Sequence, residues 1–199
     1  MISVENHFYD WFGFNKSLFL LINKIHAPLL DQAMLLATWL GHPVLYPFYM
    51  AAALLLTWRQ PSMLPQQNVV VFALSYAITS ALVVPMIKAI LDLPRPLTVL
   101  GEQAVIILGN PEVQHSFPSG HAAFAVLMAA SLAPGISLGG KLALVIFALL
   151  VCLSRISVGA HFPADVLGGA AISILVVSAM HYLIGTATKR RASCGPVTP

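Results

Sequence analysis

Six side chains between positions 88 and 165 have the types needed to bind a phosphate ester and transfer its phosphoryl group. Three are cations, two are imidazoles and one is a carboxylate: Lys88, Arg95, His121, Arg155, His161 and Asp165. A phosphate monoester carries up to two negative charges, which cations neutralise and which an arginine fork binds bidentately. A pair of histidines can supply a nucleophile and a general acid. We therefore predict a phosphoryl-transfer site.

The spacing of the last motif predicts how one histidine is held. Asp165 follows His161 by four residues, and Pro163 between them suits the first turn of a helix. If a helix begins there, the carboxylate can hold one imidazole nitrogen and leave the other free to attack phosphorus.

A second motif, Pro118-Ser119-Gly120-His121, opens an apolar segment. The backbone N–H groups at the start of such a helix attract anions. Gly120 permits close approach of the backbone to a ligand, and Ser119 adds a hydroxyl donor. No carboxylate stands four residues after His121, where the sequence has Ala125.

The composition requires that membrane helices position these residues. Of 199 residues, 58% are hydrophobic and 9% charged, whereas soluble domains carry about 25% charged residues. This composition excludes a soluble domain and a disordered chain. We predict an all-α, polytopic transmembrane helix bundle in the lipid bilayer. The formal net charge is +3, and the single basic run is Lys189–Arg191, so we expect no nucleic-acid partner.

Apolar segments and their breaks predict five spans plus an N-terminal interfacial helix. Polar residues such as Lys16 and Asn23 interrupt residues 14–27, which suits an amphipathic helix at the interface. The first span is expected to be kinked at Gly41-His42-Pro43. The five predicted spans are 31–58, 68–91, 119–133, 141–156 and 165–184. A sixth span results if residues 14–40 insert. The predicted divisions are an amphipathic segment (1–30), a transmembrane domain (31–186) and a basic tail (187–199).

Basic residues in the turns predict the orientation. Alternation of the spans places Arg59, Lys141 and Lys189–Arg191 on one side, which the positive-inside rule assigns to the cytoplasm. The site and the N-terminus are then outside, although Lys16 and Lys24 fit that side poorly. We expect a bacterial-type inner (cytoplasmic) membrane and a site that faces the periplasm.

Three motifs in this order resemble those of the type-2 phosphatidic acid phosphatase superfamily of membrane lipid phosphatases. They are Lys88-x6-Arg95-Pro96, Pro118-Ser119-Gly120-His121 and Ser154-Arg155-x5-His161-x3-Asp165. The resemblance implies that His161 is the nucleophile, Asp165 its orienter and His121 the general acid, and that water hydrolyses the phosphohistidine. It also implies a set of phosphoryl-binding residues: Lys88, Arg95, Ser119, Gly120 and Arg155.

The resemblance implies a phosphorylated membrane lipid as substrate and leaves its identity open. Undecaprenyl diphosphate, phosphatidylglycerol phosphate, phosphatidic acid and lipid A phosphates are all of the implied class. One alternative is a lipid phosphotransferase that uses the same intermediate. Another is a small transporter or an anionic-lipid-binding protein without enzymatic activity.

The sequence shows no metal-binding motif, neither HExxH nor a cysteine pair. Because three basic residues can neutralise the phosphoryl group, we predict metal-independent hydrolysis without a cofactor.

Two further residues border the motifs. His115 is a minor candidate for substrate contact, and Asp92 is expected to be an ion partner of the neighbouring cations.

Overall fold

The computed structural model describes residues 7–110 and 113–193 and, in that part of the chain, contains helices and no strand. The α-helices are α1 His7–Asp10, α2 Phe14–Asn23, α3 Pro28–Leu40, α4 Tyr46–Arg59, α5 Gln66–Ile78, α6 Val84–Leu91, α7 Pro96–Leu100, α8 Gly120–Leu132, α9 Leu138–Ser157 and α10 Pro163–Ser193. Short 3-10 helices cover Trp11–Gly13 and Pro43–Leu45, and a π-helical segment covers Thr79–Val83. The prediction of an all-α membrane helix bundle is confirmed.

Helix α8 is the centre of the bundle, where α5, α9 and α10 pack around it. Its alanines allow close approach of the neighbouring backbones, and Ser173 of α10 donates to the carbonyl of Ala123. Phe124 fills the space towards α4 and α5, where it meets the rings of Tyr49, Phe72 and Tyr76. The start of α8, which carries the second motif, is therefore fixed in the middle of the fold.

The predicted first span is two helices. α3 and the helical stretch Pro43–Arg59 meet at an angle of 52°, at the expected break around His42 and Pro43. A Cβ on Gly41 would lie 2.3 Å from Cγ1 of Val151, so only a glycine lets α3 end against α9. Pro43 cannot donate a helical hydrogen bond, which accounts for the bend.

The helices long enough to cross a membrane are fewer than predicted. Within the described residues three helices have the length and apolar character of a span, and the bent pair would make four. α8 has 13 residues and falls short of that length. The count of five spans therefore stays a prediction, whereas a multi-pass membrane protein is confirmed.

The second predicted span is continuous but irregular. It comprises α5, the π-helical segment and α6, and Pro85 is the second residue of α6. Pro85 has no N–H to donate to the preceding turn, which explains why the regular ladder is interrupted there. Lys88 lies in the last turn of α6.

Helix α2 packs on the rest of the protein through one buried stripe that contains two asparagines and a phenylalanine. Asn15, Phe19 and Asn23 are buried at i, i+4 and i+8. Asn23 donates to the carbonyls of Ile106 and Ser157 and accepts from the N–H of Ile106. The sequence prediction treated Asn23 as a polar interruption, but the residue is an internal connection between two turns.

At the opposite end of the bundle, Asn68 at the start of α5 caps α8. Its side-chain amide donates to the carbonyls of Leu132 and Pro134. Helix α10 continues to Ser193, well into the predicted basic tail. The rest of that tail, like residues 1–6 of the predicted amphipathic segment, lies outside the described residues.

Candidate active site

The site lies where α9 ends and where α8 and α10 begin. The N–H of Ser119 donates to the carbonyl of Asp165 at 3.0 Å, which joins the starts of α8 and α10. The N–H groups of Ala160 and His161 both donate to the carbonyl of Arg155 at 3.1 Å, which closes the turn after α9. The second and third motifs are thereby connected through the backbone.

His161 and Asp165 form a buried pair. Nδ1 of His161 lies 3.3 Å from Oδ2 of Asp165, as the spacing of four residues predicted. That oxygen also accepts from Ser116 Oγ at 2.5 Å and from the N–H of Phe162 at 2.9 Å. Because the carboxylate accepts a hydrogen bond from the N–H at Nδ1, the other ring nitrogen, Nε2, carries no proton and keeps its lone pair.

The surroundings keep His161 neutral. Its side chain is 2% exposed, and burial lowers its pKa to about 4, while the hydrogen bond with Asp165 opposes that shift. Arg95 and Arg155 lower the pKa further by charge repulsion. The imidazole is therefore neutral near pH 7, which is the form that can attack phosphorus.

Arg95 places its guanidinium beside the free nitrogen of His161. Nη1 lies 3.4 Å from Nε2 of His161 and donates to the carbonyl of Ala160 at 3.2 Å. Nε donates to the carbonyl of Gln114 at 2.9 Å. Two backbone contacts thus fix a cation where a phosphoryl group attacked by Nε2 would carry its charge.

Arg155 is hydrogen-bonded to α3, a helix that carries none of the three motifs. Its Nη1 donates to Oγ1 of Thr38 in α3 at 3.3 Å. The Thr38 hydroxyl in turn donates to Ser154 Oγ at 2.9 Å. Sequence analysis missed Thr38, because a threonine within an apolar helix gives no local sign of its partner.

His121 borders a cavity of about 220 Å³. Arg155 and Thr38 also line this cavity, as does His42, whose ring centroid lies 4.8 Å from that of His121. Among the residues whose placement the structure describes, Nε2 of His121 has no hydrogen-bond partner. Sequence analysis treated His42 only as part of the predicted kink.

Ser119 caps α8 in addition to the role expected of it. The residue is fully buried, and its Oγ accepts from the N–H of Ala122 at 3.4 Å, so it is the N-cap of α8. Its N–H is engaged by Asp165. The predicted anion contact of Ser119 is therefore limited to its hydroxyl proton, and the adjoining Gly120 is the first residue of α8.

Lys88 is directed towards the loop before the second motif. Its Nζ donates to the carbonyl of His115 at 2.5 Å. Nδ1 of His115 lies 3.0 Å from Oδ1 of Asp92. Asp92, expected to be an ion partner of the neighbouring cations, contacts His115, and the carbonyl of His115 accepts from Lys88.

The described part of the chain has no group of three or more His, Cys, Asp or Glu side chains placed to share a metal ion. The carboxylate at the site, Asp165, is already surrounded by hydrogen-bond donors.

The three motifs lie within a region that matches a known protein family. The pattern of the PAP2 superfamily matches residues 68–189. The crystal structure of LpxE from Aquifex aeolicus is 30% identical, with a TM-score of 0.73 over 84% of this chain and 94% of that chain. A transmembrane PAP2-type phosphatidylglycerolphosphate phosphatase from Bacillus subtilis is 19% identical and shares the fold, with a TM-score of 0.72 over 92% of this chain and 89% of that chain. No curated protein matches.

Proposed function

Because this chain belongs to the PAP2 superfamily, we propose that it hydrolyses a lipid phosphate or diphosphate through a phosphohistidine on His161. The observation that carries the proposal is the buried His161–Asp165 pair, whose free Nε2 lies beside the guanidinium of Arg95. Neither an anion transporter nor a lipid-binding protein needs an imidazole oriented by a carboxylate.

In the first step, the lone pair on Nε2 of His161 forms a bond to phosphorus. The bond from phosphorus to the lipid oxygen breaks, and His121 in its protonated form gives its proton to that oxygen, which releases the lipid alcohol. Asp165 accepts the hydrogen bond from Nδ1–H and stabilises the positive charge on the phosphorylated imidazole.

In the second step, the now neutral His121 accepts a proton from water while the water oxygen attacks phosphorus. The bond from phosphorus to Nε2 breaks, inorganic phosphate leaves, and both histidines return to their starting forms. Lys88, Arg95 and Arg155 neutralise the phosphoryl oxygens throughout, with Gly120 and the hydroxyl of Ser119 as neutral contacts. These cations supply the charge that a metal ion supplies elsewhere, so the proposed reaction is metal-independent.

The proposed substrates are phosphorylated membrane lipids. Apolar side chains cover the outer faces of α9 and α10, for example Leu149 and Leu175, so a lipid can reach the site from the bilayer. The class includes undecaprenyl diphosphate, phosphatidylglycerol phosphate, phosphatidic acid and lipid A phosphates. The proposed location is the inner membrane, with the site on the periplasmic side.

The test is release of inorganic phosphate from a panel of these lipids by purified protein in detergent and chelator. We expect release from at least one lipid, and a base-stable, acid-labile phosphoenzyme after rapid quenching, absent in His161→Ala. No release from any lipid would refute the proposal. Phosphate that appears only on an added acceptor lipid would indicate a phosphotransferase.

A further inference from the structure

One contact to the proposed site comes from outside all three motifs. The hydroxyl of Tyr9 donates a 2.5 Å hydrogen bond to Oδ1 of Asp165, from a position 156 residues earlier in the chain. The superfamily pattern begins at residue 68, so it does not account for this contact.

Asp165 needs that contact because its carboxylate is fully buried. Oδ2 accepts from Ser116, His161 and the N–H of Phe162. Within the described residues, Oδ1 accepts its hydrogen bond from the hydroxyl of Tyr9. A buried carboxylate oxygen without a donor is costly, so the Tyr9 hydroxyl completes the hydrogen bonding of the group that orients His161.

The ring of Tyr9 is itself held in place. It meets the rings of Phe117 and Phe162 edge-to-face, each at 6.3 Å between centroids. Asn15 donates to the Tyr9 carbonyl at 3.1 Å and accepts from the N–H of Ala164 at 3.0 Å. The N-terminal segment is thus attached to Phe162 and Ala164, which lie between His161 and Asp165 in the chain.

We propose that Tyr9 is a positioning residue of the active site, which acts through Asp165 on the orientation and basicity of His161. The inference rests on the proposed function. By holding Oδ1, the hydroxyl turns Oδ2 towards Nδ1 of His161. By drawing charge from the carboxylate, it also weakens the stabilisation of a protonated His161. Burial and the neighbouring Asp165 raise the pKa of Tyr9, so the hydroxyl remains a donor.

The charges that face His161 come from four parts of the fold. They are Asp165 at the start of α10, Arg95 before α7, Arg155 near the end of α9 and His121 in the first turn of α8. A Tyr9→Phe exchange leaves all four in place and keeps the aromatic packing. A change in the titration of His161 would therefore report the loss of the Tyr9 hydroxyl.

The experiment compares the wild type, Tyr9→Phe and Tyr182→Phe as full-length proteins in detergent. Tyr182 is 71% exposed, so its variant is a matched control for removal of a phenol hydroxyl. For Tyr9→Phe we expect kcat to fall by roughly ten- to a hundredfold, as for loss of a hydrogen bond to a charged group, with little change in KM. The acid limb of kcat/KM should move to higher pH. Tyr182→Phe should match the wild type in kcat, in KM and in the pH of the acid limb.

Two further measurements decide the inference independently. Nitrogen-15 NMR of labelled histidines, with the His161 signal assigned from His161→Ala, should show the same upward shift of the His161 titration in Tyr9→Phe. Meta-fluorotyrosine at position 9, a stronger donor of nearly the same size, should shift it downwards. An unmoved titration in Tyr9→Phe overturns the inference, and if that variant does not fold, an unmoved titration with the fluorinated residue overturns it. A wild type without phosphatase activity refutes the proposed function instead, because the NMR comparison does not depend on turnover.

Discussion

Single residues show how the two proposed catalytic histidines differ. His161 is enclosed and bonded to Asp165, whereas His121 borders a cavity, and Nε2 of His121 has no partner within residues 7–110 and 113–193. An oriented, neutral imidazole suits a nucleophile, and an imidazole that faces a cavity suits proton transfer to a leaving group.

Replacement of the nucleophile should stop the reaction for every substrate. For His161→Ala we expect loss of phosphate release from both lipids and aryl phosphates, with the protein still extracted as a monodisperse species in detergent. His181→Ala is the matched control, because His181 lies 20 residues after His161, in the second half of α10 and away from the site, and it should keep most of the activity. More than a few per cent of activity in His161→Ala would place the nucleophile elsewhere.

The loss of activity on replacing the general acid should depend on the leaving group. Protonation matters most for a basic leaving oxygen such as a lipid alkoxide, and least for a nitrophenolate. His121→Ala should therefore reduce hydrolysis of a phosphatidate far more than hydrolysis of nitrophenyl phosphate, when both are measured with chemistry limiting. Equal losses on the two substrates would indicate a binding role for His121.

The low pKa of His161 also predicts how stability depends on pH. Since burial lowers the pKa of His161 in the folded protein to about 4, the unfolded chain binds this proton first as the pH falls. The free energy of unfolding is then highest above pH 6.5 and decreases as the pH falls towards 4. His161→Asn should weaken this dependence, as measured by thermal unfolding between about pH 7.5 and 5. Parallel curves for the two proteins would contradict the expectation.

Among the helices, the site depends on how closely α10 approaches the start of α8. A Cβ on Gly169 would lie 2.5 Å from the carbonyl oxygen of Ser119, and one on Gly168 would lie 2.3 Å from the ring of Phe117. The hydrogen bond from Ser119 N–H to the Asp165 carbonyl exists because these two positions carry no side chain.

Gly169→Ala should therefore separate the two helices. We expect a loss of about 1–3 kcal/mol in the free energy of unfolding, as for overpacking, and a lower kcat because Asp165 and His121 move apart. Gly139→Ala is the control, since nothing lies within 4 Å of its added carbon. A Gly169→Ala protein as stable and active as Gly139→Ala would show that α10 can shift without consequence.

Sequence patterns predicted these helices better than they predicted what holds them. α9 and α10 could be placed from apolar length, and α10 begins at Pro163 as expected. Thr38 and Tyr9 reach the site from 117 and 156 positions away, and neither position has a local pattern that reveals a distant partner. Asn23 was misjudged because hydropathy does not distinguish an amide in water from one that bonds two buried turns.

The orientation of the whole molecule in the membrane is predicted from the positions of its basic residues. Arg59 ends α4 and Lys141 lies in the first turn of α9, at the end of the bundle opposite to the site. The positive-inside rule assigns that end to the cytoplasm. A reporter fused after Arg191 should be cytoplasmic, and a tag inserted near Gly109 should be accessible from outside. A cytoplasmic signal at Gly109 would overturn the periplasmic site.

The shortness and enclosure of α8 bear on bilayer thickness. Its 13 residues rise about 20 Å, against about 30 Å for a hydrocarbon core. Most of its side chains are buried by neighbouring helices, so lipid meets the helices around it, whose exposed apolar residues include Leu54, Leu149 and Leu175. When the membrane thickens or thins, those outer helices can tilt to match it, and the start of α8 moves with α10, because the N–H of Ser119 donates to the carbonyl of Asp165. The reacting groups therefore stay at the end of α9 and the start of α10, and the shortness of α8 does not carry them away from the depth of those helix ends.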